Sequence, residues 1–380
     1  AAPGAPFGPG PRAALEAALS IAQRMGLDPH DGDGYAGYAD LPGESGQQIG
    51  VIGHVDVVPA GEGWDFAPFA LTRKEGVLVG RGTSDDKAPV LTALYGLKFW
   101  LDRGERLRHG VRFIFGCNEE SGMGDVPYYL EHNEAPDFLF TPDAEFPLCY
   151  GEKGQFGAVL TSGPIEGAVV SFAAGTAPNA VPGIARAVVR ANADSLPAAE
   201  HIALEPCEEG ALVTATGIAG HASLPAGTVN AIAVLCRYLL GCGICTEQEQ
   251  AWLRFAAEMA ECTDGSAFGA ACRDDDFQDL TSVIGMMNKV EGRYVMTEDI
   301  RFPAAITGEK LERIFADLAA RHGATAEVTS SKPPFVVDPD TASVRALMDA
   351  YCETTGKQVR PFTMGGGTYA REFPNAVSFG

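Results

Sequence analysis

The chain has 380 residues, 46% of them apolar and 21% charged. That length exceeds the roughly 250–300 residues at which one hydrophobic core stops growing, so two domains are expected. A net charge of −22, from 50 acids against 28 bases, excludes nucleic acid and anionic membrane as partners, since both need a basic footprint. No apolar run is long enough to span a bilayer. No basic-then-apolar leader opens the chain. It begins Ala1-Ala2-Pro3 rather than with Met, which leaves open an earlier start. Nine scattered cysteines read as reduced thiols of a cytoplasmic protein, and the Cys242-Gly-Ile-Cys245 pair as packing rather than a zinc half-site.

In chain order, 11–25 reads as an amphipathic helix stopped by Gly26. IGVIGHVDVV (49–58) reads as a buried strand. A Gly/Pro-rich loop follows at 59–69, then a short strand running into the turn G-R-G-T-S-D-D, then a helix over 87–102. Strands at 111–118 and 137–143 flank a helix near 124–132. This alternation predicts an α/β fold whose mostly parallel sheet has helices on both faces. From about residue 154 the pattern changes to strand-rich α+β, with helices at 227–241, 246–260 and 308–322 and strands at 281–302 and 325–330. The end returns to helix-then-strand. The expected organisation is a catalytic domain built from 1–153 and 333–380, interrupted by a lid domain at 154–332.

Ligand sites of open α/β sheets form at the carboxyl ends of strands. There the sequence places His54 and Asp56, then Asp85 and Asp86, then Asn118, Glu119 and Glu120, then Asp143. Imidazole with several carboxylates and no cysteine suits a catalytic divalent ion, zinc foremost, with manganese or cobalt also possible. Asp56, two residues after His54 on a strand, points to the same face and can receive the imidazole's other N–H. In Glu119-Glu120, one carboxylate can bind metal while the other faces a water as general base. Glu145 and Glu152, which flank the last ligand segment, read as solvated or supporting.

H-V-D-V-V-P (54–59), G-R-G-T-S-D-D-K (80–87), N-E-E-S-G (118–122), T-P-D-A-E-F-P (141–147), G-H-A-S-L-P (220–225) and G-G-G-T-Y-A-R (365–371) occur in that order. The set resembles the PepV-like dipeptidases of the dinuclear zinc exopeptidase superfamily, relatives of carboxypeptidase G and aminoacylase. The resemblance implies that His54 and Asp143 bind one zinc, Glu120 the other, and that Asp85 bridges them across a cis Asp85–Asp86 bond. It implies Glu119 as general base and His221 as oxyanion stabiliser. Asn179 and Arg301 would grip the substrate's carboxylate, and Gly365, Gly366, Gly367 and Thr368 would wall its pocket. Asp at 143 rather than Glu favours substrates with a free amino terminus. One departure stands out. The superfamily's second zinc takes a histidine past the strand that aligns with NAVSFG, and this chain stops at Gly380, with His30, His109, His132, His201 and His322 all elsewhere. Either the full protein continues into a tail that carries this histidine, which is the expectation, or the Glu120 site lacks a ligand. The expected reaction is hydrolysis of dipeptides or short peptides by water activated between two divalent ions, in a monomer. The alternatives are an N-acyl-amino-acid deacylase with the same metals and a non-catalytic peptide- or metal-binding module.

Overall fold

The computed structural model describes residues 2–61 and 64–380. Ala1, and residues 62–63 of the loop expected at 59–69, lie outside them. The chain divides into two compact units, one of 1–151, 336–362 and 367–380, the other of 152–335 and 363–366.

In the first unit, helix α1 (Pro9–Met25) begins on a proline, where a missing N–H costs nothing, and ends at Gly26 with φ 94°. It buries Leu15, Ala18 and Ala22 on one stripe. Residues 28–41 are polar and broken by glycines, without a strand-like alternation. They nevertheless pair as antiparallel strands β1 (Asp28–Gly32) and β2 (Ala36–Leu41). β3 (Gln48–His54) is buried continuously from Gly50, so both its faces are covered. A small hairpin, β4 (Thr72–Lys74) and β5 (Val77–Val79), precedes α2 (Ala88–Asp102). β6 (Gly110–Gly116), α3 (Asp125–His132), β7 (Phe138–Thr141) and β8 (Cys149–Glu152) follow. The sheet runs β1-β2-β6-β3-β7, then the strand Ala376–Ser378, then β8. Its centre is parallel, β6 to β3 to β7 to Ala376–Ser378, and its edges are antiparallel. The three parallel strands β3, β6 and β7 therefore present their carboxyl ends along one edge.

Two expectations are corrected. The strand expected at 49–58 stops at His54, because after Val55 N–H donates to the Gly116 carbonyl (2.9 Å) the backbone leaves the ladder. The strand before G-R-G-T-S-D-D is not part of the main sheet. Among the described residues it pairs only within its hairpin, so Asp85 is delivered by the turn that opens α2, not by a sheet strand.

The second unit is an eight-stranded antiparallel sheet. Thr281–Val290, Arg293–Phe302, Gly154–Ser162 and Ala324–Lys332 are consecutive neighbours in it. Gly154–Ser162 alternates buried and half-buried without a break. The buried face packs Phe156, Leu160, Tyr294, Met296 and Ile300 against Ile232, Leu235, Leu253, Phe315 and Leu318 of the helices Ala231–Gly241, Glu247–Glu261 and Gly308–Arg321. Glu152, expected to be solvated or supporting, is only 1% exposed, while Glu145 is exposed.

Candidate metal centre

His54 is fully buried at the end of β3. Its backbone N–H donates to Asp86 Oδ2 (3.1 Å). Its Nε2 lies 2.8 Å from Asp85 Oδ1 and 3.7 Å from Asp143 Oδ2. Its Nδ1 faces Asp56, 3.2 Å from the carbonyl and 3.3 Å from Oδ1. Burial disfavours the imidazolium, but Asp143, Asp56 and Asp85 outweigh it and raise the pKa. Ligand atoms of His54, Asp85 and Glu120 lie within 4.8 Å of one another, and so do those of His54, Asp86 and Asp143.

Glu119 follows from β6 and is half-buried beside Asp143, Glu120 and Asp56; burial first, then those charges, push its carboxyl up to about 9. Asp86 rises to about 8 for the same reasons, with Asp143 the main neighbouring charge. Asp86 Oδ1 is buried without a hydrogen-bond partner among the described residues. This many carboxylates crowded around one imidazole demand positive charge, and the donor set fits hard-to-borderline divalent ions. The Asp85–Asp86 peptide bond is cis, as the resemblance implied. Both ligand groups draw on the single imidazole of His54, whose Nδ1 is committed to Asp56. Asp56 also does more than orient His54. Lying past the strand, its carboxylate accepts N–H from Glu119 (3.2 Å) and Glu120 (3.3 Å).

The second unit gathers its own candidates. The strand pair Ala180–Val181 and Gly220–His221 sets Asn179 beside Ala222, whose N–H donates to the Asn179 carbonyl (2.9 Å). His221 Nδ1 accepts the Ser223 backbone N–H (3.2 Å) and contacts its hydroxyl (2.7 Å). A backbone N–H can only donate, so Nδ1 is the unprotonated nitrogen and Nε2 carries the hydrogen. Burial, then the charge of Arg301, hold His221 below its usual pKa. Arg301 is gripped by Asp299 through Nε (2.7 Å) and Nη2 (3.0 Å), and its Nη1 donates to the Gly365 carbonyl (3.3 Å). Gly366 sits beside Met364 in the same unit. Gly367 and Thr368 belong to the first unit, where Thr368 Oγ1 pairs with Ser378 Oγ (3.0 Å).

Sequence reading placed Asp86 among the candidate groups without giving it a role, and gave none to Asp125 or Tyr369. Asp86 was visible beside Asp85 in the turn. Asp125 looked like an ordinary acidic residue opening a helix, and nothing marked the Tyr369 hydroxyl.

A buried imidazole ringed by carboxylates at the carboxyl ends of parallel strands defines a metallohydrolase-type centre on an α/β sheet. The chain belongs to peptidase family M20/M25/M40, whose model matches residues 50–380. It is therefore a metallopeptidase that hydrolyses peptides, of a dinuclear metal-binding family. A Staphylococcus aureus (strain USA300) protein named "Putative dipeptidase" is 34% identical over 398 residues, 99% of this chain and 84% of that protein. Human carnosine dipeptidase 1 superposes with a TM-score of 0.57 at 15% identity, covering 96% of this chain and 82% of that one. A family M20 metallo-carboxypeptidase from Sulfolobus solfataricus gives 0.58 at 14% identity, covering 96% and 85%. These superpositions establish the shared fold. Among the described residues, no helix is long and apolar enough to cross a membrane.

Proposed function

We propose that the chain hydrolyses dipeptides and short peptides bearing a free amino terminus, with Glu119 as general base. The observation that carries this reading is the position of Glu119, a half-buried carboxyl beside the ligand candidates His54, Glu120 and Asp143. Zinc is the ion this donor set fits best, ahead of manganese and cobalt. Two divalent ions held by those residues would polarise the scissile carbonyl and make water a nucleophile near neutral pH.

The protein's own groups supply the rest. Asp56 aims His54 through Nδ1 and fixes the backbone under Glu119 and Glu120. Glu119 accepts the attacking water's proton and returns it to the leaving amine. His221, neutral with its hydrogen on Nε2, donates to the tetrahedral oxyanion. Arg301, held in plane by Asp299, and Asn179 bind the substrate's carboxylate, and the Gly365–Thr368 loop walls the pocket. The relatives named as dipeptidases and the Asp at 143 support a free amino terminus over an N-acyl group. The nine cysteines are all free, which supports a cytoplasmic protein, and we take the working form to be a monomer.

The test is Glu119→Ala assayed on a dipeptide panel and its N-acetyl counterparts, with and without chelator. Turnover should fall by about 10²–10⁴ while divalent ion remains bound. Faster cleavage of the N-acetyl forms would replace the reading with deacylase. A variant as active as the parent would remove Glu119 from the chemistry.

A further inference from the structure

Every backbone N–H of residues 117–120 is held by a carboxylate. Asp56 takes those of Glu119 and Glu120. Asp125 Oδ2 takes those of Cys117 (2.6 Å) and Asn118 (3.0 Å). The same Oδ2 accepts the hydroxyl hydrogen of Tyr369. Asn118 returns the support, its Oδ1 accepting Gly124 N–H (3.0 Å) just before Asp125.

This is an expensive arrangement to bury. Asp125 and Tyr369 are both 0% exposed. Burial and the charge of Asp56 disfavour the Asp125 carboxylate, and the Tyr369 hydroxyl and the two N–H groups oppose them. Gly116 makes the room: a Cβ there would stand 2.0 Å from the Tyr369 oxygen. Tyr369 directly follows the Gly365–Thr368 loop, and Thr368 Oγ1 accepts Ala370 N–H (3.1 Å), so the ring is pinned where that loop ends. The end of the loop, Gly367 and Thr368, is thereby joined, through one hydroxyl and one carboxylate, to the backbone that aims Glu119 and Glu120.

We infer that Tyr369 and Asp125 are positioning residues of the hydrolytic reaction, setting the segment that presents the general base and the Glu120 ligand. The inference rests on the reading of Glu119 and Glu120 given above. Groups that orient metal ligands typically govern about 10–100-fold in metal affinity or activity, and a displacement of about 1 Å can cost 10²-fold in rate.

The experiment compares Tyr369→Phe, Asp125→Asn and their double variant with the parent, and with Tyr294→Phe. The control removes another fully buried phenol, one whose hydroxyl has no hydrogen-bond partner among the described residues. Three readouts are taken: kcat and KM on a dipeptide, zinc affinity by chelator competition, and melting temperature. Tyr369→Phe should lower kcat about tenfold or more, leave KM within about twofold, and weaken zinc about tenfold. Tyr294→Phe should change none of these. The double variant should be no worse than Asp125→Asn alone, because one linkage is broken either way. Parental kcat and zinc affinity in Tyr369→Phe overturn the inference. So does a loss that only tracks the unfolded fraction, or strictly additive effects in the double variant. Should Glu119→Ala prove fully active, the base assignment fails, and the zinc readout still reports separately on Tyr369 and Asp125.

Discussion

Gly53 shows how little space separates the buried imidazole from its support. A Cβ at this position would lie 2.3 Å from Val90 Cγ2 and 2.5 Å from Asp86 Oδ2. Val90 belongs to the core of the first unit, and Asp86 accepts the His54 N–H, so neither can retreat freely. Gly53→Ala should therefore cost about 1–3 kcal/mol by overpacking, read as a lower urea midpoint, and should weaken metal binding as His54 shifts. Parental stability together with parental metal affinity would show that the site yields. Asp299 poses a similar question for substrate. It holds two nitrogens of Arg301 and leaves the third to Gly365. Replacing it with Asn should raise KM for dipeptides about tenfold, the equivalent of about 1.4 kcal/mol, and leave C-terminal amides nearly unaffected. Equal effects on acid and amide would separate Arg301 from carboxylate recognition.

Within single elements, strand Arg293–Phe302 carries a conflict between pattern and chemistry. Its buried face reads Tyr294, Met296, Glu298, Ile300, so a carboxyl sits in an apolar row. Ser282 donates to Oε1, and among the described residues Oε2 has no hydrogen-bond partner. Burial raises Glu298 to about 8 from an ordinary 4.5. Below about pH 4.5 folded and unfolded chains are both protonated there, and the group makes no difference. Between 4.5 and 8 the unfolded chain releases a proton that the folded chain keeps, so stability falls as pH rises, and the full cost is present above 8. The stability of Glu298→Gln minus that of the parent should accordingly grow by a few kcal/mol between pH 4.5 and 8.5, measured by denaturant titration at each pH. A flat difference would mean Glu298 ionises freely in the fold. β3 and β6 were legible because apolar runs, interrupted in β6 by Arg112, mark strands covered on both faces, and the ligand candidates at their ends followed from that. β1 and β2 were not, since their pairing is set by neighbours rather than by their own polar pattern. Asp125 and Tyr369 meet across 244 residues of chain. Neither has a local reason to look functional, and only the tertiary contact supplies one.

At the scale of the whole molecule, the two units have separate cores. One is built from α1, α2 and the parallel strands, the other from residues between 156 and 328. Both metal-ligand groups fall wholly within the first. An ion that binds only the folded state adds RT ln(1 + [L]/Kd), about 4 kcal/mol at a thousandfold excess over Kd. For a unit of this size that corresponds to a shift of very roughly 8–16 °C. Calorimetry should accordingly resolve two transitions, of which chelator lowers one by that order and leaves the other in place. Glu298→Gln at pH 8.5 marks the second unit's transition, because that residue lies in its core row. The transition moved by Glu298→Gln should be the one chelator spares. Sodium chloride provides the contrast: against a net charge of −22 it screens long-range repulsion in both units and should move both transitions together. If chelator instead shifts both transitions equally, or shifts the one that Glu298→Gln marks, the ions are not held by the His54 cluster alone, and the assignment of the centre to the first unit is wrong.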